Sequence, residues 1–157
     1  MMGYLAIVRH GEAAMGHPDA ERRLTRRGEV EAASAGAWLA ACPELAKAQL
    51  WSSPFARARQ TASAVSQATG LECETVDGVT PDDDVDSLIE RLTGHAPSTP
   101  LIIVSHMPLV GLLAGRLIEG PASHGVAFPT AGIALLEGDV WAAGCARLAA
   151  FIAPPHQ

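Results

Sequence analysis

Residues 4–13 read YLAIVRHGEA. Tyr4 to Val8 has the continuous apolar character of a strand buried on both faces. Arg9-His10-Gly11 is a poor continuation of such a strand. It is a good exit from one, because it presents a positive charge and a nucleophilic nitrogen at the edge of a sheet. The same arrangement recurs twice farther along. Gln49 to Ser52 reads as a short strand, and Ser53-Pro54 after it as an N-cap and first helical position of a helix running to Thr69, with Gly70 as its C-terminal cap. Leu101 to Val104 (LIIV) is the strongest strand in the chain. Ser105-His106-Met107 follows it, and Pro108 starts a helix to about Glu119.

The intervening segments complete an alternating order. Thr25 is an N-cap before an Ala-rich helix at Glu29 to Ala41, stopped by Cys42-Pro43. Leu71 to Val76 is a further strand, and Val85 to Leu92 a short helix opened by Asp82, Asp83 and Asp84. Gly132 to Leu136 and Ala146 to Ile152 form a closing hairpin around Gly138-Asp139. Strands alternating with helices predict an α/β fold. We expect a three-layer α/β/α sandwich around a mostly parallel sheet, with an antiparallel strand near the C-terminus. In such sheets ligands sit outside the carboxyl ends of the strands, where helix N-termini also point. Arg9-His10, Ser52-Ser53 and Ser105-His106 are all delivered to that edge.

The composition sets bounds on what this edge can do. The 157 residues suit one domain, 1–157, with no linker or repeat. Apolar residues are 48% and charged residues 18%, which excludes a disordered chain, while only 4% aromatics leave Ala, Leu and Val to fill the core. The net charge of −6 and the lack of a basic run argue against nucleic acid as a partner. The first apolar run is a strand's length, far below the ~20 residues that span a bilayer, and no signal-like segment precedes it. Cys42, Cys73 and Cys145 are scattered, without metal spacing, and read as reduced thiols of a cytoplasmic protein. An anion would have to be held by a local basic site inside an acidic protein.

The candidate basic groups are few. Arg57 falls in the first turn of its helix, where a cation opposes the macrodipole at a cost of a few tenths of a kcal/mol up to ~1 unless an anion sits at the same end. Arg59 has a solvent-facing alternative. Arg22 lies between the first strand and first helix, and spacing alone does not separate it from Arg23, Arg26 or Arg27. His106 is placed to project over the same edge as His10 and to donate to a tetrahedral anion. Asp82 to Asp84 read first as capping and dipole compensation. His95 suits a helix C-terminus, His17 and His156 read as solvated loop and tail, and His124 lies in a Gly/Pro-rich loop. The histidines show no HExxH or HxH spacing, so neither a metal nor another cofactor is expected.

RHGEA at 9–13, SSPFARARQTA at 52–62 and VSHMPLVG at 104–111, in this order, resemble the histidine phosphatase superfamily, which includes the phosphoglycerate mutases. ERRLTRRG at 21–28, the HMPLVG form of the third block and the short length look most like its SixA-type phosphohistidine phosphatase branch. The resemblance implies a phosphoglycerate mutase-like sandwich and makes His10 the phosphoryl acceptor. It makes Arg9, Arg57 and His106 the rest of the phosphate pocket, and RRLT places a further phosphate-binding arginine at Arg22, with Arg23 beside it. Many members carry an acidic proton donor in an insertion after the second block. Here VDGVTPDDDVDSL at 76–88 is uninterrupted, leaving Asp82 to Asp84 as the candidates.

That departure bears on the substrate. An ester's alkoxide needs a proton to leave, whereas the imidazole of phosphohistidine leaves readily. The expectation is a phosphatase acting through a covalent phosphohistidine on His10, with a phosphohistidine-bearing signalling protein as substrate at an open site. A phosphomonoesterase for a small phosphorylated substrate is the alternative. A phosphate- or phosphoprotein-binding module without turnover is the third possibility, which the nucleophile at position 10 argues against.

Overall fold

The computed structural model describes residues 2–157. Its strands are β1 (Gly3–Arg9), β2 (Gln49–Ser52), β3 (Cys73–Thr75), β4 (Leu101–Ser105), β5 (Ile133–Gly138) and β6 (Arg147–Ile152). Its helices are α1 (Arg26–Ala40), α2 (Ala56–Thr69), α3 (Val85–Thr93) and α4 (Leu109–Glu119). All six strands join one sheet in the order β3-β2-β4-β1-β5-β6. β2, β3, β4 and β1 pair in parallel, while β5 is antiparallel to both β1 and β6. This is the sandwich expected from the element order, with β5 as the reversed strand.

Alternation along β1 divides the core in two. Leu5 and Ile7 pack with Leu101, Ile103, Trp51, Leu88 and Leu92 of α3, and Leu109, Leu113 and Leu117 of α4. Ala6 and Val8 face Ile102, Val104 and Leu50, with Ala35 and Leu39 of α1 and Ala58, Ala62 and Val65 of α2. Helices thus cover both faces, which is why the strands read as unbroken apolar runs. The Ala-rich composition is spent between α1 and α2, where a Cβ on Gly36 would stand 2.9 Å from the Ala64 carbonyl oxygen.

Several boundaries differ from the sequence-based expectation. Ser53 is not the N-cap of α2: the helix begins at Ala56 after Phe55, and the Ser53 hydroxyl instead accepts from the Phe55 amide (3.2 Å) and bonds His106. β3 is shorter than residues 71–76 because Leu71 closes the α2 terminus. Its amide donates to Thr69 Oγ1 and its carbonyl accepts from Ser66 Oγ, next to Gly70 in the left-handed conformation. The β5–β6 connection is longer than a turn at Gly138-Asp139. Fully buried Trp141 and an Ala146 amide bonded to the Leu117 carbonyl pin it to α4. Thr25 and Asp84 cap α1 and α3 as their positions suggested.

One close approach fixes the loop after β1. A Cβ on Gly28 would stand 2.0 Å from the Glu12 carbonyl oxygen, and one on Gly11 2.5 Å from the Gly28 carbonyl oxygen. The Thr25 amide also donates to the Glu12 carbonyl (2.9 Å). Alanine is the better helix former by about 1 kcal/mol, so Gly28→Ala separates propensity from packing. We expect Gly28→Ala to lower unfolding stability by about 1–3 kcal/mol, measured by urea denaturation. An unchanged or increased stability would mean the contact yields without cost.

Candidate active site

The parallel ladder assembles the site. Arg9 pairs with Ser105 and Ser52 with Val104. The ladder then runs one step past the strands: the His10 amide donates to the Ser105 carbonyl (3.0 Å), and the Ser53 amide to the Val104 carbonyl (3.1 Å). His10, Ser53 and His106 consequently emerge side by side, and the His10 and His106 rings meet edge-to-face with centroids 5.0 Å apart.

His10 is buried, and its tautomer follows from its neighbours. Nδ1 lies 2.6 Å from the Gly11 carbonyl, which can only accept, so Nδ1 carries the proton. Arg57 Nε, which can only donate, lies 3.3 Å from Nε2. The Nε2 lone pair is therefore directed at the guanidinium. Burial, with Arg57, Arg9 and Arg22 assisting and the Gly11 carbonyl opposing, lowers the His10 pKa to about 4. His106 is lowered to about 3, by burial first and then by His10 and Arg57. Both rings are neutral near pH 7. His106 Nε2 lies 2.7 Å from Ser53 Oγ, while its Nδ1 is buried without a partner, as is Arg9 Nε. Buried polar atoms left unpaired cost about 1–3 kcal/mol each, and such atoms gathered at strand exits mark a place for a polar ligand.

The guanidiniums are held from the rim. Arg9 Nη1 donates to the Phe128 carbonyl (2.7 Å). Arg57, only 4% exposed, donates from Nη1 to the Asp19 carbonyl (2.7 Å) and from Nη2 to Asp19 Oδ2 (3.1 Å). Its guanidinium carbon also lies 5.1 Å from the centroid of the Phe55 ring, which meets His106 edge-on. Arg22 donates to Asp19 Oδ1 (3.0 Å) and the Ala14 carbonyl (2.8 Å), on the His10 side. Arg23 is exposed and lies with Glu29 and Gln60. The structure thus brings together Arg9, His10, Arg22, Arg57 and His106. Asp83 and Asp84 cap Thr80 and Ser87, and no hydrogen bond of Asp82, Asp83 or Asp84 reaches these five residues.

Other contributors were silent in the sequence. Buried Glu31 of α1 accepts from the Glu12 amide (2.9 Å) and from Thr130 Oγ1 (3.0 Å), bracing the His10 loop. Thr61 Oγ1 accepts from the Gly11 amide (3.0 Å) and donates to the Arg57 carbonyl (2.9 Å). His156, read as solvated tail, is buried. Its Nε2 donates to the Ala131 carbonyl (2.8 Å) and its Nδ1 meets Ser34 Oγ (2.7 Å), while the Ala131 amide holds the His10 carbonyl (2.9 Å). Glu31 and Thr61 lie on the buried faces of α1 and α2, where a polar residue in an apolar stripe is the signal that could have found them. Among the described residues no helix is long and apolar enough to cross a membrane.

A neutral buried imidazole set with three arginines at one sheet edge is chemically suited to receiving a phosphoryl group. The chain belongs to the histidine phosphatase superfamily (branch 1), whose family model matches residues 5–80, and it is a hydrolase of that superfamily. It is 34% identical over 122 residues to the phosphohistidine phosphatase SixA homolog of Haemophilus influenzae, covering 71% of this chain and 74% of the relative. It is 34% identical over 120 residues to phosphohistidine phosphatase SixA of Escherichia coli, covering 73% of each. The structure of the protein histidine phosphatase SixA complexed with tungstate superimposes with a TM-score of 0.85 at 29% identity, over 97% of both chains.

The depressed histidines can be observed directly. In NMR titrations the ring signals of His10 and His106 are expected to stay constant between pH 8 and 5.5, moving only toward about 4 and 3. A midpoint near the ordinary 6.5 for His10 would refute the buried, arginine-flanked geometry. The unfolded chain binds the extra protons, so these two groups lower folding stability as the pH falls below about 6.5 and continue to do so down to their folded pKa values.

Proposed function

We propose that this protein removes the phosphoryl group from phosphohistidine on a protein, through a covalent phosphohistidine at His10. The observation that carries the reading is the His10 Nε2 lone pair, unprotonated and fixed in tautomer by the Gly11 carbonyl, set among Arg9, Arg22 and Arg57. A pocket that only captured anions would gain more from a protonated imidazole. The similarity to phosphohistidine phosphatases from two bacteria supports the substrate class. So does the state of Asp19, the carboxylate hydrogen-bonded to Arg22 and Arg57, which those bonds hold below its ordinary pKa and leave without a proton for an alkoxide.

In the first step Nε2 attacks phosphorus in line. The Nε2–P bond forms as the substrate's P–N bond breaks, and that electron pair leaves with the departing imidazole. Arg57 gives up its long 3.3 Å contact with Nε2 and turns its N–H groups to the phosphoryl oxygens. With Arg9 and Arg22 it offsets the charge on the equatorial oxygens, the largest contribution to rate in such transfers. His106, anchored at Nε2 by Ser53, offers Nδ1 to the same group. Water then attacks phosphorus, releasing phosphate and returning His10 to its neutral form.

Rapid-quench labelling with a phosphohistidine phosphotransfer protein tests this. The wild type is expected to show an acid-labile, alkali-stable phosphoenzyme, and His10→Ala none, with turnover lost. Arg57→Ala is expected to lower kcat/KM by about 10²–10³. Near-normal hydrolysis by His10→Ala would end the mechanism. A strong preference of the wild type for one small ester would replace the substrate.

A further inference from the structure

The loop over residues 14–22 leaves the pocket and is closed by the Ala13–Leu24 bridge. It delivers Asp19 to the arginines. The carboxylate spans them, Oδ2 on Arg57 and Oδ1 on Arg22, while the backbone carbonyl separately holds Arg57 Nη1. Its side chain nevertheless stays 57% exposed, and each of its two oxygens has a single hydrogen-bonded partner, which leaves a lone pair on each. Hydrogen bonds from Arg22 and then Arg57 hold its pKa below the ordinary carboxylate value, so it is an anion at neutral pH and has no proton to lend. Arg9, Arg22 and Arg57 outnumber Asp19 and Glu31, the latter acting on Arg9 from behind, and leave a net positive charge beside two neutral histidines. That balance suits a phosphoryl dianion. An anion at the entrance to an anion site is a disadvantage unless the incoming molecule also carries a positive group next to its phosphate.

We propose that Asp19 is a specificity-determining residue whose carboxylate accepts a hydrogen bond from the protonated, non-phosphorylated ring nitrogen of a phosphohistidine substrate. This rests on the phosphohistidine reading above. A protonated phosphohistidine carries the phosphoryl group on one ring nitrogen and a proton on the other. As His10 Nε2 bonds to phosphorus, the P–N electron pair returns to the leaving nitrogen. The imidazole departs neutral, keeping the proton it brought, and Asp19 remains a carboxylate throughout. By favouring the protonated ring, Asp19 selects the form of the substrate that leaves most easily. An ester offers no such N–H, and its leaving oxygen gains negative charge toward the carboxylate.

Asp19→Asn isolates the charge, because the backbone carbonyl still holds Arg57 and the side-chain amide oxygen still accepts. The probes are a peptide bearing phosphohistidine and p-nitrophenyl phosphate. The ratio of kcat/KM for the peptide to that for the ester is expected to fall tenfold or more, the scale of one lost charge-assisted hydrogen bond. The KM for the ester is expected to fall, since the variant pocket is more positive. Equal losses on both probes would make Asp19 a support for Arg57 and overturn the proposal, as would an unchanged ratio. A wild type that cleaves the ester but not the peptide would remove the substrate reading itself, and this role with it.

Discussion

The His10 amide bonded to the Ser105 carbonyl is the link on which the catalytic geometry depends. A parallel ladder spaces its residues regularly, so one additional rung beyond β1 and β4 places position 10 beside position 106 without any specialised loop. Two imidazoles from distant parts of the sequence are thereby brought to 5.0 Å between ring centroids. Side chains refine what the ladder sets. Gly11 and Gly28 permit the close approach of α1, and Glu31 and Thr61 occupy the amides that the sharp exit from β1 leaves open.

Burial and charge act together at this point. Moving two histidines out of water and surrounding them with guanidiniums suppresses their protonation, which leaves a usable lone pair at neutral pH. The same surroundings are poor for folding, since they concentrate positive charge and leave His106 Nδ1 and Arg9 Nε unpaired. Asp19 offsets part of that concentration from the outside. The unpaired groups are of the kind that an anion's oxygens can satisfy.

Much of this was legible in the sequence because the relevant signals are local. An apolar run four or five residues long, a proline or capping residue, and a glycine terminator fix strands and helices, and the parallel order then dictates where Arg9, Arg57 and His106 converge. What escaped depends on contacts between distant segments. Ser53 has the sequence context of an N-cap, but a partner at position 106 recruits its hydroxyl. Arg22 and Arg23 are neighbours in sequence, and only the 14–22 loop folding back onto Arg57 separates them. His156 looks like tail because nothing in its flanking residues reveals that α1 and the 128–132 segment receive it.

That last contact has a consequence for biogenesis. The imidazole of His156 fastens Ala131, whose amide in turn secures the carbonyl of His10. His10 is synthesised well before His156, so the wall behind it is finished only after residue 156 has emerged. A nascent chain displaying Arg9-His10-Gly11 thus lacks one of the hydrogen-bonded supports behind His10 until translation has passed this histidine.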